Sequence, residues 1–182
     1  MTLPLIFTEQ AKSSKMLADM PSDLLTMLAD PSQTSAFNAH HNGIDVKNFY
    51  KYDSLYTTFN VLASSIDPVT GREFVAVIES EQYPFYGVQW HPEKNVFELG
   101  MDPDGTPHEA IVHSPAAISA TLNLAEFFVG EAKKNQRSFP SEGEEAAHLI
   151  WNYPVYGDVG AKFVQVYVGS FRTSTTEETS MA

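Results

Sequence analysis

The stretch "FYGVQWHPEKN" (residues 85–95) decides the fold class, because it ends a strand-like run with two polar side chains. Its first six residues are nearly all apolar or aromatic, which predicts a strand covered on both faces of a sheet. Pro92 favours extended geometry in the residue before it, so His91 is expected to continue that strand. Residues two apart in a strand point to the same side, so Glu93 is expected to approach the His91 imidazole.

A histidine beside a carboxylate is the base and orienting half of a nucleophile triad. The carboxylate can fix the tautomer of the imidazole and stabilise the imidazolium that forms when the ring accepts a proton. General-base help of this kind is worth about 10²–10⁴-fold in rate. Spacing alone leaves a second interpretation open, in which His91 and Glu93 simply mark a solvated strand end.

The rest of the chain alternates strand-like and helix-like patterns, which predicts an α/β fold. A hairpin is expected where two strand candidates are joined by the turn-like sequence "DPVTG" (67–71). Strands are predicted over 3–9, 58–67, 71–80, 85–90 and 161–171, and helices over 21–29, 113–136 and 141–151. A strand with polar residues at its end and a helix after it is typical of ligand sites in open α/β sheets.

The helix predicted over 113–136 has the strongest pattern in the chain. Ser114 is suited to cap it and Pro115 to occupy its first turn. Apolar residues at three-to-four spacing predict a buried face that consists of Ile118, Leu122, Ala125, Phe128, Val129 and Ala132.

Composition narrows the classes of partner and chemistry. The 182 residues carry 23 acidic and 11 basic side chains, a formal net charge of −12, which disfavours nucleic acids and anionic membranes as partners. The chain has no cysteine, so it can form no disulfide, thiolate metal site or cysteine nucleophile of its own. The sequence contains neither an apolar run long enough to span a membrane nor a signal-peptide pattern.

The extended stretch "YPFYGVQWHPEKN" (83–95) resembles the class I glutamine-amidotransferase superfamily, whose Gly-Val-Gln-x-His-Pro-Glu motif supplies the last two members of a Cys-His-Glu triad. Over residues 2 to 171 the chain more narrowly resembles the γ-glutamyl hydrolases. The stretches that carry this narrower resemblance are "LPLIFT" (3–8), "VKNF" (46–49), "FNVL" (59–62), "LAEFFVGEAKKN" (124–135) and "NYPVY" (152–156).

The resemblance implies an incomplete, flavodoxin-like sheet of the glutamine-amidotransferase type with flanking helices. The family's N-terminal strands and its Gly-x-Cys-x-Gly nucleophile elbow have no counterpart in this sequence. Residues 1–171 are therefore interpreted as the C-terminal part of a γ-glutamyl hydrolase-like domain, and the polar residues 172–182 as a disordered tail.

The resemblance also assigns candidate site residues. His91 corresponds to the catalytic histidine, Glu93 to the triad acid and His40 to a further active-site histidine that helps with substrate, although the adjacent His41 can be matched as well. The alternative interpretation of His40 and His41 is a pair of loop histidines with no role. The family implies neither a metal nor another cofactor, and His40, His41, His91 and His108 together match no metal-binding signature. Lys94 is open to two interpretations, a contact for a substrate carboxylate or an ordinary surface lysine.

The implied activity is that of a cysteine-type omega peptidase, which hydrolyses γ-glutamyl bonds in folyl or other poly-γ-glutamates. Because the chain would supply only His91 and Glu93, it is expected to be inactive alone. The alternative is a truncated, non-catalytic protein that binds or associates, for example as a homo-oligomer. The family implies a lysosomal, vacuolar or extracellular location, with a signal peptide upstream of this sequence. Neither the oligomeric state nor endo- versus exo-cleavage follows from the sequence.

Overall fold

The structure, a computed structural model, describes residues 1–159 and 163–169. It divides into two compact units, Met1–Gln136 and Arg137–Ala182. The tail predicted over 172–182 lies outside the described residues, as do both ends of the strand predicted over 161–171. The domain boundaries proposed from the sequence stay predictions.

The first unit is built on an antiparallel sheet in the order β1-β2-β3-β4. Its strands are β1 (Ile6–Phe7), β2 (Asn60–Ile66), β3 (Glu73–Glu79) and β4 (Tyr86–Val88). The predicted hairpin is confirmed, since β2 pairs with β3 and Gly71 closes the turn at φ 68°. The strand predicted over 3–9 is reduced to two residues. The fold is therefore mixed α/β with an antiparallel sheet.

Helices cover this sheet. They are α1 (Ser22–Ala29), α2 (Val46–Phe49), α3 (Asp53–Tyr56), α4 (Lys94–Phe97) and α5 (Pro115–Ala132), with a 3-10 turn at Glu9–Ser13. The predicted start of α5 is confirmed, because the Ser114 hydroxyl accepts a hydrogen bond from the Ala117 amide at 3.2 Å. The helix ends at Ala132, four residues earlier than predicted.

The buried face of α5 differs from the predicted one. Leu122 and Phe128 are 53% and 67% exposed, and the buried positions are instead Ala117, Ala120 and Thr121. Apolar residues occur on several sides of this helix, so periodicity alone could not identify the buried side. Small residues face inward because they allow α5 to approach α1 and α4 closely.

Strand β4 is not covered on both faces, contrary to the prediction. It is short and lies at the end of the strand order, its last residue Val88 is 37% exposed, and Phe85 just before it is 54% exposed. Trp90 is buried as predicted, at 4% exposure, but it lies beyond the end of the strand. Tyr86 is half-buried and packs against Phe127 of α5 with ring centroids 4.8 Å apart.

Apolar side chains fill both faces of the β2–β3 hairpin. The larger cluster joins the sheet to α1, α5 and the segment before α1, and includes Leu5, Met16, Leu28, Leu62, Val77, Trp90 and Ala120. A smaller cluster on the other face contains Phe49, Val61 and Val75. Within residues 1–159 and 163–169, none of the helices is both long and apolar enough to cross a bilayer.

The second unit contains α6 (Glu142–Ala147), a 3-10 turn (Ile150–Asn152) and an antiparallel pair, β5 (Val155–Val159) with β6 (Phe163–Tyr167). The Ser141 hydroxyl caps α6 by accepting from the Glu144 amide at 3.2 Å. The helix predicted over 141–151 thus forms in its first part, and the polypeptide then tightens into the 3-10 turn.

Candidate active site

The His91-Pro92-Glu93 segment forms a turn and does not continue β4, which ends at Val88. The His91 amide donates to the Phe37 carbonyl at 2.8 Å, so the backbone here pairs with a distant loop. Glu93 has helical dihedral angles, φ −65° and ψ −27°, and immediately precedes α4. The predicted same-side strand geometry is therefore wrong, because the two side chains meet across a turn.

The predicted contact itself forms. His91 Nδ1 lies 2.8 Å from Glu93 Oε1, with the two side chains 39% and 62% exposed. A carboxylate only accepts hydrogen bonds, so Nδ1 carries the proton and Nε2 is left as the basic nitrogen. Nε2 has no hydrogen-bond partner among the residues that the structure describes. The arrangement can accept a proton at Nε2, and the catalytic roles of both residues stay predictions.

The sequence interpretation did not identify two polar side chains here, of which Thr121 bonds to this turn and Asn95 anchors α4, the helix that follows it. The Thr121 hydroxyl of α5, in a residue only 7% exposed, donates to the Pro92 carbonyl at 2.6 Å. Asn95 of α4 is fully buried, and its amide group donates to the Val112 carbonyl at 2.8 Å and to the Ser35 carbonyl at 3.2 Å. The sequence offered no signal for Thr121, because the face of α5 that Ala117, Ala120 and Thr121 bury is not the face that periodicity predicted.

Lys94 is neither a surface lysine nor free to bind a substrate. Its ammonium group pairs with the Glu109 carboxylate, and their side chains are only 10% and 25% exposed. The same ammonium group lies 5.6 Å from the centroid of the Phe37 ring, a cation–π contact. Both interpretations of Lys94 from the sequence are corrected by this burial, since its charge is already neutralised within the chain.

His40 lies in a separate cavity. Its Nδ1 is 3.0 Å from the Asn42 carbonyl oxygen and its Nε2 is 3.0 Å from Asn38 Oδ1, so both ring nitrogens are occupied. The adjacent His41 is exposed. The cavity has a volume of about 360 Å³, and it is lined by both histidines and Arg72 together with acidic residues, but not by His91. The substrate role of His40 stays a prediction.

Two of the four histidines that were compared with metal-binding signatures pair with carboxylates instead. His108 Nδ1 lies 2.9 Å from Asp102 Oδ1, and His91 Nδ1 contacts Glu93. In the described part of the chain, no group of three or more His, Asp or Glu side chains is placed to hold a metal ion.

A second cavity, of about 300 Å³, opens beside the His91–Glu93 turn. Its walls come from β4 and α5 and are mainly apolar, and Pro92 and Glu93 lie at its edge. On the wall, the Tyr86 hydroxyl donates to Glu131 Oε2 at 3.1 Å, and burial together with this bond raises the pKa of Tyr86 to about 12. The Lys134 ammonium group beside Glu131 holds the pKa of that carboxyl below its usual range.

Comparison with known proteins identifies homologues of this chain. No protein-family profile matches it. It is 40% identical over 168 residues to the γ-glutamyl hydrolase of Homo sapiens, which covers 91% of this chain and 49% of that protein. It is 39% identical over 167 residues to the γ-glutamyl hydrolase of Rattus norvegicus, a match that covers 91% of this chain and 50% of that protein. It is 35% identical over 175 residues to γ-glutamyl hydrolase B of Dictyostelium discoideum, and this match covers 96% of this chain and 47% of that protein.

The chain thus spans about half the length of the curated relatives it matches. The match extends over nearly all of its own residues, including the His91-Pro92-Glu93 turn and helix α5. The chain is a homologue of the γ-glutamyl hydrolases, consistent with the C-terminal part of a member of that family.

Proposed function

We propose that this chain supplies the histidine and the acid of a γ-glutamyl hydrolase that cleaves poly-γ-glutamates, including those attached to folates. The observation that carries the proposal is the 2.8 Å contact between His91 Nδ1 and Glu93 Oε1, with Nε2 left without a partner among the described residues. The homology supports the reaction class, because the relatives of this chain are named γ-glutamyl hydrolases.

In the proposed mechanism, His91 Nε2 removes the proton from a cysteine thiol supplied from outside these 182 residues. The thiolate attacks the carbonyl carbon of the γ-glutamyl amide, and His91 then protonates the leaving nitrogen as the C–N bond breaks. A water molecule, deprotonated by His91, hydrolyses the thioester and releases the γ-carboxylate. Glu93 holds Nδ1–H throughout and stabilises the imidazolium, and general-base catalysis of this kind is worth about 10²–10⁴-fold.

His40 is proposed as a substrate contact, and this proposal rests on the resemblance to the family. The cavity beside His40 carries Arg72, which could pair with a substrate carboxylate, but its wall also contains Asp67 and Glu73. A wall that carries charges of both signs contributes little binding energy for an anionic substrate. The His91–Glu93 contact therefore carries the assignment, and the His40 cavity adds no independent support.

The test is a fusion of this chain to the half of the Homo sapiens γ-glutamyl hydrolase that it does not match. Release of glutamate from γ-linked oligomers is expected from the fusion and not from the chain alone. His91→Gln or Glu93→Gln in the fusion is expected to lower kcat by about 10²–10⁴-fold. His108→Gln, which alters another histidine–carboxylate pair, is the matched control and is expected to leave kcat nearly unchanged. Full activity of the His91→Gln fusion would refute the proposal.

The second candidate function is non-catalytic association, homo-oligomers included. The observation that favours it is the exposure of apolar side chains that line the β4–α5 cavity, where Phe128 is 67% and Val88 37% exposed. Exposed apolar groups of this kind often mark interaction surfaces. Light scattering at micromolar concentration is then expected to give a multiple of 20.2 kDa. A monomer of that mass with one cooperative thermal transition would exclude this candidate.

Two further proposals rest on the homology. The antiparallel sheet is proposed to be part of a larger, glutamine-amidotransferase-like sheet, which a structure of the fusion would test. The compartment is proposed to be the lysosome, the vacuole or the cell exterior, which fractionation with an antibody to α5 would test.

A further inference from the structure

Thr121 makes an unusual hydrogen bond for a threonine inside a helix. Such a hydroxyl commonly bonds to the carbonyl four residues earlier, which would be that of Ala117. The Thr121 hydroxyl donates at 2.6 Å to the carbonyl of Pro92, 29 residues away in the sequence. Threonine is also a weaker helix former than alanine, so nothing in the helix itself favours it at this position.

The accepting carbonyl belongs to the peptide group that joins Pro92 to Glu93. Because a peptide group is planar, fixing its carbonyl oxygen fixes the direction in which Glu93 leaves the turn. The other torsions between His91 and Glu93 are already restricted. The proline ring sets φ of Pro92, and the proline restricts the backbone of His91. The ψ angle of Pro92 is the remaining soft torsion, and it is the one that the Thr121 bond holds.

We propose that Thr121 is a positioning residue that holds Glu93 in register with His91. It acts through the Pro92 carbonyl and touches neither the reacting atoms nor the imidazole. The opposite side of the turn is held independently by the 2.8 Å bond from the His91 amide to the Phe37 carbonyl. The turn is thus fixed at both ends, with α5 holding the acid and the Phe37 loop holding the histidine. The catalytic meaning of this inference rests on the proposed function, whereas the positioning itself can be measured without activity.

The experiment measures the tautomer of His91 in the chain itself by ¹⁵N NMR of the neutral imidazole. The wild type is expected to show the proton on Nδ1, and Glu93→Ala, which removes the acceptor altogether, defines the signal of a ring without a partner at Nδ1. Thr121→Val keeps the shape of the side chain and removes the donor, whereas Thr121→Ser keeps the donor. In Thr121→Val the His91 signal is expected to move most of the way to that of Glu93→Ala, and in Thr121→Ser it is expected to stay at the wild-type value.

Two controls separate positioning from general damage. The His108–Asp102 pair, with Nδ1 and Oδ1 2.9 Å apart, is an internal reference whose signal is expected to stay fixed. Thr26→Val removes the hydroxyl of another helix threonine, which bonds at 2.7 Å to the Ser22 carbonyl, and is expected to leave His91 unchanged. If Thr121→Val does not fold, Thr121→Ala replaces it in the comparison with Thr121→Ser.

A wild-type tautomer in a folded Thr121→Val or Thr121→Ala chain overturns the inference, and so does an equal effect of Thr26→Val. In the fusion, Thr121→Val is expected to lower kcat about ten- to a hundredfold with KM little changed. An inactive wild-type fusion with the expected NMR result would refute the proposed function and leave the positioning role standing. An active fusion with an unchanged His91 signal would refute the positioning role alone.

Discussion

Replacing Glu79 by glutamine tests how the end of β3 is fixed beside the candidate site. Glu79 is only 5% exposed, and its two carboxylate oxygens each accept a backbone amide at 2.9 Å, one from Lys15 and one from Met16. The side chain therefore joins β3 to the segment that precedes α1. Met16 also lines the cavity next to Glu93, so this link supports one wall of the site.

The expected loss follows from what a glutamine can accept. A hydrogen bond to a charged group contributes about 1.5–3 kcal/mol, and a buried amide left without a partner costs about 1–3 kcal/mol. Glutamine keeps one acceptor oxygen, but it turns an NH₂ group toward the second amide. Two charge-assisted bonds are thus replaced by one neutral bond and one unpaired donor. Glu79→Gln is expected to lower the free energy of unfolding by about 2–4 kcal/mol.

Urea unfolding followed by fluorescence of buried Trp90 measures this difference. The matched control is Glu81→Gln, which makes the same change of charge two residues away, where the exposed carboxylate accepts from Asn60 at 2.7 Å. The control is expected to change the free energy of unfolding by less than about 0.5 kcal/mol. Equal values for the two variants would show that the buried carboxylate does not hold the Lys15–Met16 segment, and the reasoning would fail.

Three further changes are expected to have measurable effects. A Cβ atom on Gly87 would lie 2.9 Å from Ile78 Cγ1, so Gly87→Ala is expected to cost about 1–3 kcal/mol in urea unfolding. Lys94→Met leaves the Glu109 carboxylate without its partner and is expected to cost about 3 kcal/mol in the same assay. The pKa of Tyr86 is raised to about 12 by burial and by Glu131, so its stabilising effect is complete below about pH 10 and is lost as pH rises through 12. Tyr86→Phe should abolish this part of the pH dependence of unfolding, and a ¹³C NMR titration should show the high pKa directly.

Each of these changes has a control within the chain. Apart from the backbone of α5 itself, no atom of the described residues lies within 4 Å of a Cβ built on Gly130, so Gly130→Ala is expected to stabilise the helix by about 0.5–1 kcal/mol. Lys12→Met breaks a pair whose side chains are 75% and 84% exposed and should cost less than about 0.5 kcal/mol. Wild-type and Tyr86→Phe chains compared below about pH 10, where the tyrosine is protonated in both states, serve as the reference for the alkaline range. Loss of stability in Gly130→Ala, or an equal loss in both lysine variants, would contradict the packing argument.

Local patterns in the sequence predicted the elements whose partners are near in the chain. The hairpin of β2 and β3 and the Ser114 cap of α5 are both confirmed, since a turn and a cap depend on a few adjacent residues. The predictions of the extent of β4 and of the buried side of α5 were wrong. Both depend on which surfaces are brought together in three dimensions, and an apolar residue in sequence does not show whether a neighbour will cover it.

The contact between His91 and Glu93 likewise separates what adjacent residues determine from what distant residues determine. Two flexible side chains on either side of a proline can meet from an extended backbone or from a turn. The motif therefore predicted the contact between the side chains correctly but not the conformation of the backbone that brings them together. The turn is imposed by the Phe37 carbonyl and the Thr121 hydroxyl, which lie 54 and 29 residues from the groups they bind. Neither partner was visible in the motif, because each is an ordinary residue until the fold brings it there.

Charge defines what this chain contributes to the proposed reaction. A poly-γ-glutamate is polyanionic, the chain has a net charge of −12, and the cation nearest in sequence to the pair, Lys94, is neutralised by Glu109. In the proposed reaction the chain would therefore supply the group that moves a proton and few of the charges that attract the substrate. If the fusion is active, most cationic contacts to the substrate should come from the other half, and added salt should raise KM more than it lowers kcat. Screening acts on the encounter between charges, whereas the 2.8 Å contact within the turn is too short for salt to weaken much.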